Sequence, residues 1–276
     1  MACGDNLPET GLCDTDPIAD TSPVSTAASR VGFVQIRDTW DRTWDDFGVP
    51  RDVRTGRLQA GFVDRSTVTS TPAAVMPLSE VCFGLISRPV RTGSALPLAV
   101  TEVQVQDTSR GTIVASPAGP GTYIAVGEPI LGEGQEDLRF VVNSTSTPGF
   151  GLDQPLPSLS SDTGWTQPDP NLPQTLEPGQ LPLRWTAGGA DWIELTITPK
   201  SDGVDDGGQV ICRVADTGCF DVPGSVTAFL LAGNAPHYTM TLQSYRYRAL
   251  ETSTDHFVEL EVISETRLTL DNEGLQ

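Results

Sequence analysis

The chain has 276 residues, 38% of them hydrophobic, with 27 glycines and 22 prolines. That length buries a real core, but breakers at this density divide it into short segments and argue against long helices. With 17 Lys+Arg against 36 Asp+Glu the net charge is −19, which repels phosphate backbones and speaks against nucleic acid as a partner.

The first residues, Met1-Ala2-Cys3-Gly4-Asp5-Asn6, set a small residue before a cysteine and Gly-Asp after it. This is the pattern of a bacterial lipoprotein processing site, with Cys3 lipidated, the signal peptide removed and Met1 supplied for expression. No apolar run approaches the roughly 18 residues that cross a bilayer, so membrane contact is expected only through that anchor. Residues 1–29, rich in Asp, Thr, Ser and Pro, read as a tether. Asp14, Asp16 and Asp20 lack the spacing and the glycine of a calcium-binding EF-hand loop.

A first β-sandwich domain is expected over 30–145. Val31–Arg37 reads as a strand. In the next run, DTWDRTWDDF, Trp40, Trp44 and Phe47 are spaced for one face of a short helix, with acids outside. Trp40, Trp44, Asp41 and Asp45 form the candidate ligand platform, since sugars stack on indole faces while carboxylates accept bonds from their hydroxyls. Further strands are predicted near Arg57–Asp64, Glu80–Ile86, Leu98–Gln106, Thr112–Ser116, Thr122–Val126 and Leu138–Asn143. In the third of these Val103 and Val105 face inward while Glu102 and Gln104 face outward. Strands this short and this closely spaced suggest an immunoglobulin-like, fibronectin-like or jelly-roll sandwich.

Residues 146–180 carry seven prolines between Pro148 and Pro178 and read as an extended connector. Phe150, Leu152, Leu156, Leu159 and Trp165 could pin it to the first domain. A second β-sandwich domain follows over 181–272, leaving 273–276 as a tail. Leu181–Thr186 and Trp192–Thr198 are strands, the latter with Ile193, Leu195 and Ile197 inward. Ser201–Gly208 is a loop whose Asp202, Asp205 and Asp206 are candidate calcium ligands, although their spacing matches no standard site. Gln209–Val214 and Cys219–Val222 read as a hairpin closed by Asp216-Thr217-Gly218, and Ser225–Ala232 as a short helix after Pro223. Two long strands, Tyr238–Ala249 and His256–Leu270, complete the chain. Their apolar phase predicts a β-bulge at Gln243-Ser244 and sends Arg246 and Arg248 toward Glu259 and Glu261.

With Cys3 set aside, Cys13, Cys82, Cys212 and Cys219 remain, and four cysteines allow three pairings. Cys212 and Cys219 flank a turn, where a bridge is geometrically possible, with Cys13–Cys82 as the leftover pair. No His/Cys cluster has zinc spacing, so disulfides in an oxidising compartment outrank metal. His237 and His256 are the chain's two histidines, and neither stands in a nucleophile, zinc-protease or phosphate-loop motif. The chain therefore reads as a binding or structural protein and not an enzyme, needing no cofactor beyond calcium.

The pattern W-T-x-G-G-A-D-W-I-E-L, an acidic loop, then I-C-R-V-A-D-T-G-x-F-D-V-P resembles a domain in uncharacterised secreted lipoproteins of myxobacteria and related deltaproteobacteria. Trp185, Cys212, Asp216, Gly218 and Pro223 occupy its positions. The Cys82 segment, Gly111-Thr112-Ile113, Gly121-Thr122-Tyr123 and Pro148-Gly149-Phe150 resemble the first half of such proteins, so the resemblance covers most of the chain past Arg57. In that pattern Cys219 replaces a Ser-like residue, which favours a Cys212–Cys219 bridge and leaves Cys82 to Cys13. The resemblance implies no particular activity. Together with the Cys3 pattern, it leads us to expect an exported chain, at the outer membrane, in the periplasm or on the cell surface, with another envelope protein or itself as partner. A polysaccharide and an adhesive role are the alternative, and a secreted hydrolase is the lesser one.

Overall fold

A computed structural model describes residues 13, 29–44, 50–66, 69–71, 74–87, 90–132, 137–145, 148–169, 174–201, 204–205 and 208–272. Cys3, Asp45, Phe47, Asp202, Asp206, most of the predicted tether and the tail lie outside these residues.

The fold is all-β, as the dense punctuation and the alternating segments require. In chain order the elements are β1 (Arg30–Trp44), β2 (Pro50–Asp64), β3 (Thr69–Thr71), β4 (Ala74–Pro77), β5 (Cys82–Ser87), β6 (Val90–Thr92) and β7 (Leu96–Pro97). Next come β8 (Glu102–Thr108), β9 (Gly111–Gly119), β10 (Thr122–Gly127), β11 (Asp137–Asn143), β12 (Leu152–Pro157), β13 (Trp165–Gln167), β14 (Gln174–Leu176) and β15 (Leu181–Trp185). The remainder are β16 (Trp192–Ser201), β17 (Val204–Asp205), β18 (Gln209–Val214), β19 (Cys219–Val222), helix α1 (Gly224–Leu231), β20 (His237–Ser253) and β21 (His256–Asn272). Alternation fixes which side of each strand is buried: Val103 and Val105 on β8, and Ile193, Leu195 and Ile197 on β16, are all at most 1% exposed.

One large sheet runs β12-β11-β8-β9-β10-β2-β1-β21-β20-β16-β18-β5-β4, and its centre is made of long strands. β20 and β21 form a 17-residue hairpin pair, and β1 lies parallel to β21 from Arg30 opposite His256 to Arg42 opposite Leu268. The core-facing side of this sheet buries two separate apolar clusters. The first gathers Val34, Ile36, Leu58, Phe62, Phe140 and Leu156 with Val258, Leu260 and Val262 of β21. The second gathers Leu195, Ile197, Val210, Met240 and Leu242 with Leu268 and Leu270 of β21, beneath the small sheet β13-β15-β19 and α1. Between them β21 presents Ser264 and Thr266, β20 presents Ser244, and β1 presents Asp38 and Trp40, all buried. This polar seam divides the cores while the strands run on through it.

The expected boundary at 146–180 is therefore not where the sheets divide. β5, from the first half, pairs with β18 of the second, and β1 pairs with β21. The proline-rich segment is pinned at both ends: Phe150, Leu156 and Leu159 pack in the first core and Trp165 in the second. Over the seam Thr163 Oγ1 and Thr266 Oγ1 share a hydrogen bond of 2.9 Å.

Four further expectations are corrected. From Asp38 to Trp44 the aromatic run is not a helix but the continuation of β1. The spacing of four from Trp40 to Trp44 is same-face in a strand as well as in a helix, and pairing along β2 decides for the strand. β20 has no bulge at Gln243-Ser244; its register with β21 shifts only between Glu251 and Ser253. The apolar phase breaks there because the strand crosses the seam, so Ser244, Arg246 and Arg248 take the positions that Met240 and Leu242 hold earlier. Arg246 accordingly pairs with Asp191 at 3.1 Å and Arg248 donates to the Pro155 carbonyl at 3.1 Å, rather than meeting Glu259 and Glu261.

The last correction concerns β18 and β19, which do not form a hairpin. β18 lies in the large sheet, β19 pairs with β15, and the Asp216-Thr217-Gly218 turn carries the chain between layers. Cys212 and Cys219 therefore cannot meet. Cys82 stands directly opposite Cys212 on β5, with Cα atoms 4.1 Å apart, and the two are bonded. Cys219 is bonded instead to Cys13. Asp216 locks this crossing. Its carboxylate accepts from Trp185 Nε1 at 2.8 Å, Gly188 N at 3.0 Å and Ala190 N at 2.7 Å. Gly218 sits at φ +87°, a conformation that side chains disfavour.

Candidate functional site

The predicted platform is not assembled as the sequence suggests. Successive residues of a strand point to opposite sides, so Trp40 faces the core and Asp41 faces outward. Trp40 is 6% exposed. The guanidinium of Arg42 lies 3.5 Å from its ring centroid and that of Arg54 3.9 Å. These cation–π contacts occupy the indole surface on which a sugar would stack. Burial pulls the Arg42 pKa down, opposed by the nearby carboxylate of Asp52. Asp41 meets Arg267 at 3.5 Å. Trp44 closes β1, and neither its side chain nor Asp45 is described. Of the calcium candidates only the backbone of Asp205 is described, in β17. Among the described residues no three His, Cys, Asp or Glu side chains gather as a metal site.

The side chains that the fold does bring together lie on the outer side of the long strands, in rows set by register. One row runs Arg37, Ile263, Tyr245, Trp192 across β1, β21, β20 and β16. The next runs Thr39, Glu265, Gln243, Glu194 and then Arg213 on β18. On the other side of the first lies Gln35, Glu261, Tyr247. Trp192 and Tyr245 are stacked at 4.9 Å with planes 13° apart, and Tyr247 lies 5.9 Å from the indole.

The polar members are tightly braced. Glu265, whose side chain is fully buried, holds Arg37 Nη1 at 3.1 Å and also binds Arg267 and Gln243. Tyr245 donates to Gln243 Oε1 at 2.8 Å, and burial raises its phenol pKa, with Glu194 adding to the effect. Arg213 Nε reaches Glu194 at 2.8 Å, leaving Glu194 13% exposed. Burial raises the Glu259 pKa, as does the neighbouring charge of Glu261, while a hydrogen bond from Tyr247 opposes them. The result is an aromatic strip edged by carboxylates and amides. Trp192 is only 8% exposed, so the strip turns Tyr245, Tyr247, Glu259 and Glu261, all half-buried, toward solvent. Tyr245, Tyr247, Glu259 and Glu261 are legible in the sequence as alternating pairs, but their meeting with Trp192 depends on the β16–β20 register.

Asp38 is the second conspicuous carboxyl group. It is 2% exposed and accepts from Ile130 N at 2.9 Å and Leu131 N at 2.8 Å, clamping that loop to the seam. Burial outweighs these donors and pushes its pKa up to about 6. With both oxygens engaged, it serves as a brace.

No family model matches the chain, and no curated protein matches it. Among solved structures it is similar to a Ca2+-stabilized adhesin that helps an Antarctic bacterium reach out and bind ice. That likeness has 12% identity over 90% of this chain and 50% of that one, at a TM-score of 0.19. The chain thus spans about half the length of that structure, and a score so low carries no argument about function. Two disulfides mark a protein of an oxidising compartment, outside the cytosol. Among the described residues no helix is long and apolar enough to cross a membrane.

Proposed function

We propose that this chain is an exported cell-envelope protein, lipid-anchored through Cys3, that acts as a rigid scaffold binding another envelope protein or further copies of itself. The observation that carries the reading is how the buried polar groups are used. Asp38 accepts from two amides of the 130–131 loop, Asp216 from three donors of the 185–190 stretch, and Glu265 from Arg37 on β1 and Gln243 on β20, so each ties distant parts of the chain together. The Ala2-Cys3-Gly4-Asp5 pattern, the resemblance to secreted lipoproteins and the two disulfides support export and anchoring. Fractionation of natively expressed protein tests it: acylated Cys3 in the membrane fraction is expected, and Cys3→Ser should release the protein. Unmodified Cys3 on a membrane-bound chain would overturn the anchor.

A second reading is adhesion to polysaccharide, and the half-buried rings of Tyr245 and Tyr247 beside Glu194 and Glu261 favour it. Affinity electrophoresis in polysaccharide gels should then show retardation that Tyr247→Ala and Glu261→Gln together remove. Retardation unchanged by both substitutions would rule out this strip as the sugar site.

A further inference from the structure

β9 and β10 are consecutive strands, yet they pair only where Gly119, Pro117 and Ser116 face Thr122, Tyr123 and Ile124. Beyond that point each strand is paired on its far side alone: β9 continues along β8 through Ala115, Val114 and Ile113, and β10 along β2 through Ala125, Val126 and Gly127. The strands splay, and a cleft of about 270 Å3 opens between them, lined by Thr112, Ile113, Val114, Ala125, Val126 and Gly127, with Ile130 and Gly56 among the other lining residues. Alternate N–H and C=O groups of a strand point to either side, so each of these two strands turns backbone donors and acceptors into the cleft.

The rim is apolar where a surface is ordinarily polar. Val126 is 68% exposed and Val114 50%. Arg110 also lines the cleft, its guanidinium lying over Gly127, where a Cβ would come within 3.1 Å of Nη1, while it donates to the Glu128 carbonyl at 3.0 Å. Arg110 is thus an exposed cation at the rim of a slot in a chain whose net charge is −19.

From this geometry we infer that the β9–β10 cleft is a docking slot for an extended segment of a partner protein, which inserts as an added strand. Main-chain bonds to β9 and β10 hold it, apolar side chains at alternate positions cover Val114 and Val126, and an acidic side chain meets Arg110. Such a segment is free of proline, because each inner N–H is needed. The inference deepens the protein-binding reading and rests on it; anchoring is tested on cells and the slot in solution, so either fails without the other.

The test uses the full chain and a fluorescent peptide of about six residues, the length of an ordinary strand, alternating Thr and Val with one central Glu. Binding is expected by fluorescence anisotropy, with new amide-exchange protection at 112–115 and 125–127. Arg110→Glu should weaken binding about tenfold or more, and the same peptide with Lys for Glu should restore it. Blocking the slot with Val114→Trp and Val126→Trp should abolish binding that the Val114→Thr, Val126→Thr control retains. The inference is overturned by an absence of binding, by protection elsewhere, or by a charge swap that fails to rescue while circular dichroism shows the variant folded.

Discussion

The two cores share one sheet but are enclosed differently. The first is wrapped by strands hydrogen-bonded in sequence from β12 round to β20, with β12 returning so close to β20 that Arg248 reaches the Pro155 carbonyl. The second is covered on its open side by a three-stranded sheet and one eight-residue helix. Both disulfides lie in this second region, with Cys82 and Cys212 in its core and Cys219 on its cover. In the first, Tyr123 OH donates to Val100 O and accepts from Val100 N at 2.9 Å, and Asp38 binds two backbone amides. A wrapped core closes its seams with hydrogen bonds, whereas a lidded one is held by covalent links.

The largest test of that contrast removes the buried bridge. Cys82→Ala with Cys212→Ala opens a link spanning 130 residues and should cost about 2–5 kcal/mol. Trp165 and Trp185 are buried in the second core, and among the described residues the first core holds no tryptophan, so tryptophan fluorescence in urea should report the loss. A comparable cost, about 2–5 kcal/mol each, is expected for Leu260→Ala in the first core and Leu268→Ala in the second. Because β21 threads both, each variant should still melt in a single transition; two resolved transitions would show that the seam uncouples the halves.

A smaller effect concerns Asp38. Its pKa is raised from 3.8 to about 6 in the folded chain, so the native state binds the proton more tightly than the unfolded state does. Stability from this group is complete below about pH 4 and is lost as pH rises through about 6, by up to ~3 kcal/mol. Asp38→Asn should flatten that part of the pH profile in chemical denaturation; an unchanged slope would assign it to other groups. Smallest of all is Arg213→Ala on the outer face, where its half-exposed ion pair with Glu194 should contribute no more than about 1 kcal/mol in thermal melts.

Strand positions were legible because alternation is local: β8, β10, β11, β16, β20 and β21 each carry an inward apolar series that needs no knowledge of partners. Failures came where a residue's meaning depends on a distant segment. Trp40 and Trp44 fit a helix equally well until β2 is known to lie alongside. Ser244 looked like a slip of phase because a seam between two cores cannot be read from one strand. Cys212 and Cys219 are close in sequence, but the turn between them changes sheets. The Trp192–Tyr245 strip and the β9–β10 cleft were hidden for the same reason: both depend on which strands pair and where pairing stops.

The two bridges are nested, Cys82–Cys212 inside Cys13–Cys219, and both join the first half of the chain to the second. A protease that cuts anywhere between Cys82 and Cys212, the proline-rich crossing included, therefore leaves the fragments covalently attached. Such a nicked molecule would migrate as one species on a non-reducing gel and as fragments after reduction. For an exported protein facing extracellular proteases, a single cut between Cys82 and Cys212 would not release half of it.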